Sequence, residues 1–298
     1  MTPSRNIMTR RSSPFNATTV LQAVQLLVGL VLLALAFRSP LADIYRYSVR
    51  NPDLGYVWLV PFLALYLAWI RRIRWRTWHH QTSWAGVLII AAAIAISWFG
   101  RYYDILIFWH VGAPIAFFGL MVSIFGMGIW RAFGPVFMML CAITPAPGVV
   151  RRQLAIPLQN LASHITTFIL ELFNVPVQAV GNLIEINGVA VAVGEACNGM
   201  KLIIPLLLII FTLVFSLSLR SGARVAMIVF SIPLALFVNV VRLLPTAIAY
   251  GYFPDRAETV YLVSGYVMIP LAILMMLGLL RLLEAIDIPV TRWRLVTS

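Results

Sequence analysis

Residues 225–249 read VAMIVFSIPLALFVNVVRLLPTAIA, an apolar run that carries one charge, Arg242, and one side-chain amide, Asn239. As a helix it would be about 37 Å long, more than the ~30 Å hydrocarbon core of a bilayer. Lipid offers no water to backbone N–H and C=O groups, so only a helix or a closed barrel satisfies them. The run is continuous rather than alternating, which selects the helix. Similar runs occupy 19–37, 55–70, 83–99, 105–129, 132–144, 199–219 and 259–282. The expected fold class is an all-α integral membrane protein with about eight transmembrane helices. Composition agrees: 61% of the 298 residues are hydrophobic, 11% are charged, and the mean hydropathy is +0.93. The fifth run is short and stops at Thr144-Pro145-Ala146-Pro147.

The net charge of +12 has a topological explanation. With the N-terminus inside, the inner segments hold Arg5, Arg10, Arg11, Arg71, Arg72, Arg74, Arg76, Arg131, Arg220, Arg224, Arg281, Arg292 and Arg294. Most of the acids fall outside, so the inner segments sum to +11 and the outer ones to −1. This is the positive-inside pattern of a multi-pass inner (cytoplasmic) membrane protein. It calls for no nucleic acid as partner. One polytopic domain, 1–298, is expected, with a basic cytoplasmic N-terminus (1–18) and a cytoplasmic tail (283–298). The first run has no small-x-small cleavage site before Arg38 and reads as an uncleaved span. Cys141 and Cys197 are too few for a disulfide framework.

Residues 145–196, before the sixth span, form the long extracytoplasmic segment. Leu154, Leu158, Leu161, Ile165, Phe168 and Leu172 recur at helical spacing, with polar residues off that stripe. This predicts an amphipathic helix lying along the membrane or capping the bundle. Asn187-Gly188 between two β-rich runs predicts a hairpin. The hairpin delivers the chain to Glu195-Ala196-Cys197-Asn198-Gly199.

Cys197 therefore falls at the start of an apolar helix. There the positive end of the macrodipole, with Lys201 one turn on, stabilises a thiolate, while Glu195 opposes it. A thiolate is a nucleophile. The competing reading is a small buried apolar side chain, which also suits Cys141 in mid-span. Arg242 is costly inside a span and functional by default; the competing reading is an arginine reaching up to the outer headgroups. Asn239 shares its helical face. A cation beside a thiolate and a developing oxyanion suits acyl transfer.

Glu195-Ala-Cys197-Asn-Gly199-Met-Lys201 is similar to the Cys-Ser-Gly-Leu-Arg nucleophile motif of the exosortase/archaeosortase family of membrane transpeptidase-like cysteine proteases. Asn239-Val-Val-Arg242-Leu resembles that family's Asn-x-x-Arg helix, and Gly55-Tyr-Val-Trp-Leu-Val-Pro61 followed by Arg71-Arg72 resembles its second helix. Pro145-Ala-Pro147 and the hairpin fit as well, so the resemblance runs over about residues 50–280. It implies a membrane thiol peptidase or transpeptidase acting on exported proteins that end in a sorting signal, a membrane helix and an Arg-rich tail. In the bacterial case the signal is Pro-Glu-Pro. Cys197 would be the nucleophile and Arg242 the oxyanion residue, facing each other across one outer-leaflet cavity. Glu195, Asn198 and Asn239 are the candidate substrate-binding residues. Where the family has a histidine in its last helix, this chain has Tyr261. A phenol is a poor base at neutral pH, and Tyr261 is expected to border the cavity as a hydrogen-bond donor. His110 and His164 are the candidate substitute bases on the outer side.

The alternative is a non-catalytic docking or scaffold relative in protein sorting or exopolysaccharide export. A transporter in which Arg242 and Asn239 bind an anion lacks an inverted repeat and paired broken helices. The expected partners are a sorting-signal protein and membrane lipid; no cofactor and no metal are called for.

Overall fold

The computed structural model describes residues 17–76, 81–145, 148–181, 183–192, 199–217 and 219–285. Each apolar run becomes a helix, with bounds set by local breakers. α1 (Ala17–Ala36) bends by 67° into α2 (Arg38–Arg50). A 3-10 turn (Pro52–Trp58) leads into α3 (Leu59–Ile70), and the one-turn α4 (Ile73–Arg76) follows. α5 (Trp84–Tyr102) and α6 (Leu106–Phe125) form an antiparallel hairpin. Ser83 caps α5 by accepting from the Ala85 N–H. Gly126, with φ +88°, ends α6 and splits the expected run 105–129, so α7 starts at Ile129 and ends at Cys141. Then come α8 (Gly148–Leu172), three short strands, α9 (Gly199–Ser216), α10 (Ser221–Tyr252) and α11 (Pro254–Ala285).

Among the described residues, α5, α6, α10 and most of α11 are long and apolar enough to cross a bilayer, and the bent α1–α2 pair would make a fifth crossing. The remaining runs give shorter apolar helices, Leu54–Ile70, Ile129–Cys141 and Ile204–Ser216. Against the expected eight or so spans, the described residues thus give four or five candidate spans plus these shorter helices. The short helices pack on one another by one face: Leu54, Val60 and Leu67 are fully buried in a cluster with Val136 and Met139 of α7 and Ile204 and Leu208 of α9.

Arg71, just past α3, fixes which ends meet. It is buried and donates to the carbonyls of Ala132 (3.0 Å) and Phe215 (3.0 Å), joining α3, α7 and α9. Burial, with the charges of Arg74 and Arg224 beside it, lowers the Arg71 guanidinium to about 10, so it stays charged at neutral pH. Arg224 lies 5.0 Å over the Phe215 ring at the same end. α10 then runs its 32 residues, about 48 Å, to the other end of the bundle. There Asn187 donates through Nδ2 to the Gly251 carbonyl (3.2 Å), and Gly251 leaves room for the Ile186 side chain. The basic segment and the hairpin thus lie at opposite ends. Reporter fusions at Arg76 and Asn187 are expected in opposite compartments, Arg76 inside; a shared compartment would break the topology.

Asn187 and Gly188 both have positive φ (52° and 75°) and close a two-residue turn between β2 (Leu183–Ile186) and β3 (Val189–Ala192). The expected hairpin gains a third strand, β1 (Val177–Val180), giving an antiparallel β1-β2-β3 sheet. Ile184 and Ile186 point inward onto Val240, Leu243 and Ala247 of α10, while Glu185 points out. α8 turns only part of its apolar stripe away from the protein, for Ile165 packs on the sheet core. Leu161, Phe168 and Leu172 are exposed, whereas Ala162, Ser163, Thr166, Thr167 and Leu170 are buried. Small and hydroxylated residues allow close approach of the sheet, and Ser163 faces the Leu183 carbonyl (3.4 Å).

Candidate functional site

α10 places Arg242 about ten residues before its C-terminal end, or ~15 Å along the helix axis. The side chain is 3% exposed, as is Asn239 one turn earlier. Tyr261 of α11 holds the guanidinium from below: Cζ lies 4.6 Å from the ring centroid. Such a cation–π contact is worth roughly 0.5–2 kcal/mol, rising with desolvation. What Tyr261 offers Arg242 is therefore its ring face. Among the described residues, Arg242 Nε and Nη1 and Asn239 Oδ1 have no hydrogen-bond partner. A buried guanidinium with free donors is out of keeping with a purely structural role, where such groups are satisfied.

The backbone around Arg242 is also distinctive. Pro245 has no N–H for the Val241 carbonyl. Thr246 Oγ1 donates to the Arg242 carbonyl (2.9 Å) and lies 3.3 Å from Ser264 Oγ, which donates to the Tyr261 carbonyl (2.9 Å). The two hydroxyls meet at the level of the Arg242–Tyr261 pair, where either can donate to the other in place of its own helix carbonyl. The sequence reading missed this contact, although Thr246 at i+4 and Ser264 at i+3 were its signal. A cavity of about 400 Å³ opens beside Arg242 between α10 and α11, walled by Val238, Pro245, Val260, Val263 and Val267. Its lining is almost wholly apolar, so water competes little for the guanidinium.

Cys197, Glu195 and Asn198 lie outside the described residues, and so does the Lys201 side chain. The helix after them is described. α9 begins at Gly199, as expected for a start within a few residues of Cys197, and has 18 residues. α10 starts just beyond the α9 C-terminus and packs back along it, with Leu206, Ile210 and Val214 against Met227, Ala235 and Val238. Equal rise along two antiparallel helices puts Gly199 near the level of Val238–Arg242. The Pro52–Trp58 turn, which overlaps the Gly55–Pro61 motif, packs on α9.

The candidate bases lie elsewhere. His110 is 1% exposed and pairs through Nε2 with Asp43 Oδ2 of α2 at 2.9 Å. It sits in the part of the bundle built from α1, α2, α5 and α6. His164 is exposed on the outward side of α8. Among the described residues, neither histidine is brought to Arg242.

A family model described as transmembrane exosortase (Exosortase EpsH) matches residues 47–278. No curated protein and no solved structure gives a significant match.

Proposed function

We propose, from the premise that the chain belongs to the transmembrane exosortase family, that it is a membrane thiol peptidase or transpeptidase that processes C-terminal sorting signals of exported proteins. The observation that carries the reading is Arg242, buried, with two guanidinium nitrogens unpaired among the described residues, and clamped on Tyr261 in an apolar cavity. In the proposed reaction the Cys197 thiolate attacks the scissile carbonyl. Arg242 stabilises the oxyanion, and collapse breaks the C–N bond, with a proton going to the leaving amine. The thioester is then resolved by water or by an acceptor amine. Asn239 is proposed to orient the substrate amide, with Glu195 and Asn198 beside the nucleophile. Tyr261 positions the guanidinium. The active site is proposed to face the extracytoplasmic side of the inner membrane, at the sheet end of an eight-span bundle.

The placement of the histidines favours the docking relative: His110 sits with Asp43 in another part of the bundle, His164 faces outward, and Tyr261 stands where the family has histidine. Deleting this chain from its host separates the readings. The enzyme reading expects exported proteins with an apolar C-terminal helix and Arg-rich tail to accumulate uncut. A docking relative would leave them cut but mislocalised.

A further inference from the structure

The two edges of the β-sheet differ. β1 lies against α8, whereas β3, the other edge, packs its Val191 face on α10 and pairs its outer backbone groups with no strand among the described residues. In a two-residue hairpin the closing pair, here Ile186 and Val189, exchanges both hydrogen bonds, and the pattern alternates from there. Val189 and Val191 thus spend their N–H and C=O groups on β2. Ala190 and Ala192 direct theirs away from the sheet, and among the described residues no backbone partner takes them.

Natural edges are normally defended by lysine, proline, a bulge or an inward charge. β3 reads Val-Ala-Val-Ala with none of these, and Val189 and Ala190 are exposed. An undefended edge is a template for an extended chain. Its position gives it a use. Cys197 follows Ala192 by five residues. A peptide must leave its helix before a thiolate can reach a carbonyl, and each freed N–H and C=O near the membrane then costs several kcal/mol unless paired.

We infer that the outer edge of β3 binds the substrate as an added strand, the Ala190 and Ala192 backbone groups pairing with the extended segment that carries the scissile bond. This rests on the thiol-peptidase reading for its purpose, but the binding itself does not need Cys197 to react. Recognition is through main-chain groups, so it tolerates varied side chains.

The test uses the full chain with Cys197→Ala in bilayer nanodiscs and a synthetic peptide carrying a Pro-Glu-Pro segment followed by apolar residues. Residue-resolved hydrogen exchange is expected to show the Ala190 and Ala192 amides fast without peptide and at least about tenfold slower with it. Ala190→Pro removes an N–H that β2 does not use. It is expected to keep the melting temperature and to weaken peptide binding about tenfold, as for one or two lost hydrogen bonds. Val191→Pro, which removes a bond to β2, is expected to lower the melting temperature instead. Amides already slow in the free protein would mean that the chain covers its own edge, and would overturn the proposal. So would unchanged exchange on adding peptide, or full affinity in Ala190→Pro. Because the binding chain lacks the thiol, a failed Cys197 reading would show in processing assays and leave this result standing.

Discussion

Cys197→Ala is expected to leave exported precursors uncut while the protein still inserts and folds. No other group described near Arg242 can serve as nucleophile: the tyrosine there offers its ring face, and the hydroxyls of Thr246 and Ser264 are committed to backbone carbonyls. Loss of a nucleophile typically costs about 10⁴-fold or more. Cys197→Ser is expected to fail nearly as fully, because nothing described near Arg242 would deprotonate an alcohol. Cys141→Ala, at the end of α7, is the control and is expected to process normally. Normal cutting by Cys197→Ala would move the account to the docking reading.

Arg242→Leu is expected to lower processing by roughly 10²–10³-fold, the usual cost of removing an oxyanion donor. Stability is expected to move the other way. A guanidinium 3% exposed with two nitrogens unpaired among the described residues carries a desolvation cost that leucine does not. The thermal midpoint should therefore rise or hold while activity collapses. Arg242→Lys keeps the charge and the contact with the Tyr261 ring but loses the planar fork of donors. It is expected to be impaired nearly as much as Arg242→Leu. A chain that loses stability in Arg242→Leu and keeps processing within a few-fold would make the arginine structural.

The features legible in the sequence were those with local causes. Apolar length gave the helices, Asn187-Gly188 gave the turn, and the burial cost of Arg242 marked the site. The features that escaped depend on partners far away in the chain. β1 is a four-residue VQAV run, too short to announce itself, and it forms because β2 offers a ladder. The 67° bend between α1 and α2 has a signal only in Pro40, in the first turn of α2. His110 is legible as a candidate base, but its place with Asp43, 67 residues earlier, in a part of the bundle away from Arg242 is not. The stripe on α8 was read correctly as apolar, but which side it faces is decided by Ala162, Ser163 and Thr166 fitting against the sheet and α10.

The central claim is that Cys197 carries the substrate as a thioester beside Arg242. Its most direct measurement is mass spectrometry of the chain purified from cells making an uncut precursor, with and without neutral hydroxylamine. The account predicts a substrate fragment on the Cys197 peptide, released by hydroxylamine, strongly reduced in Arg242→Leu and absent in Cys197→Ala. An unmodified Cys197 in cells that are actively cutting the precursor, or an adduct on any other residue, would contradict it.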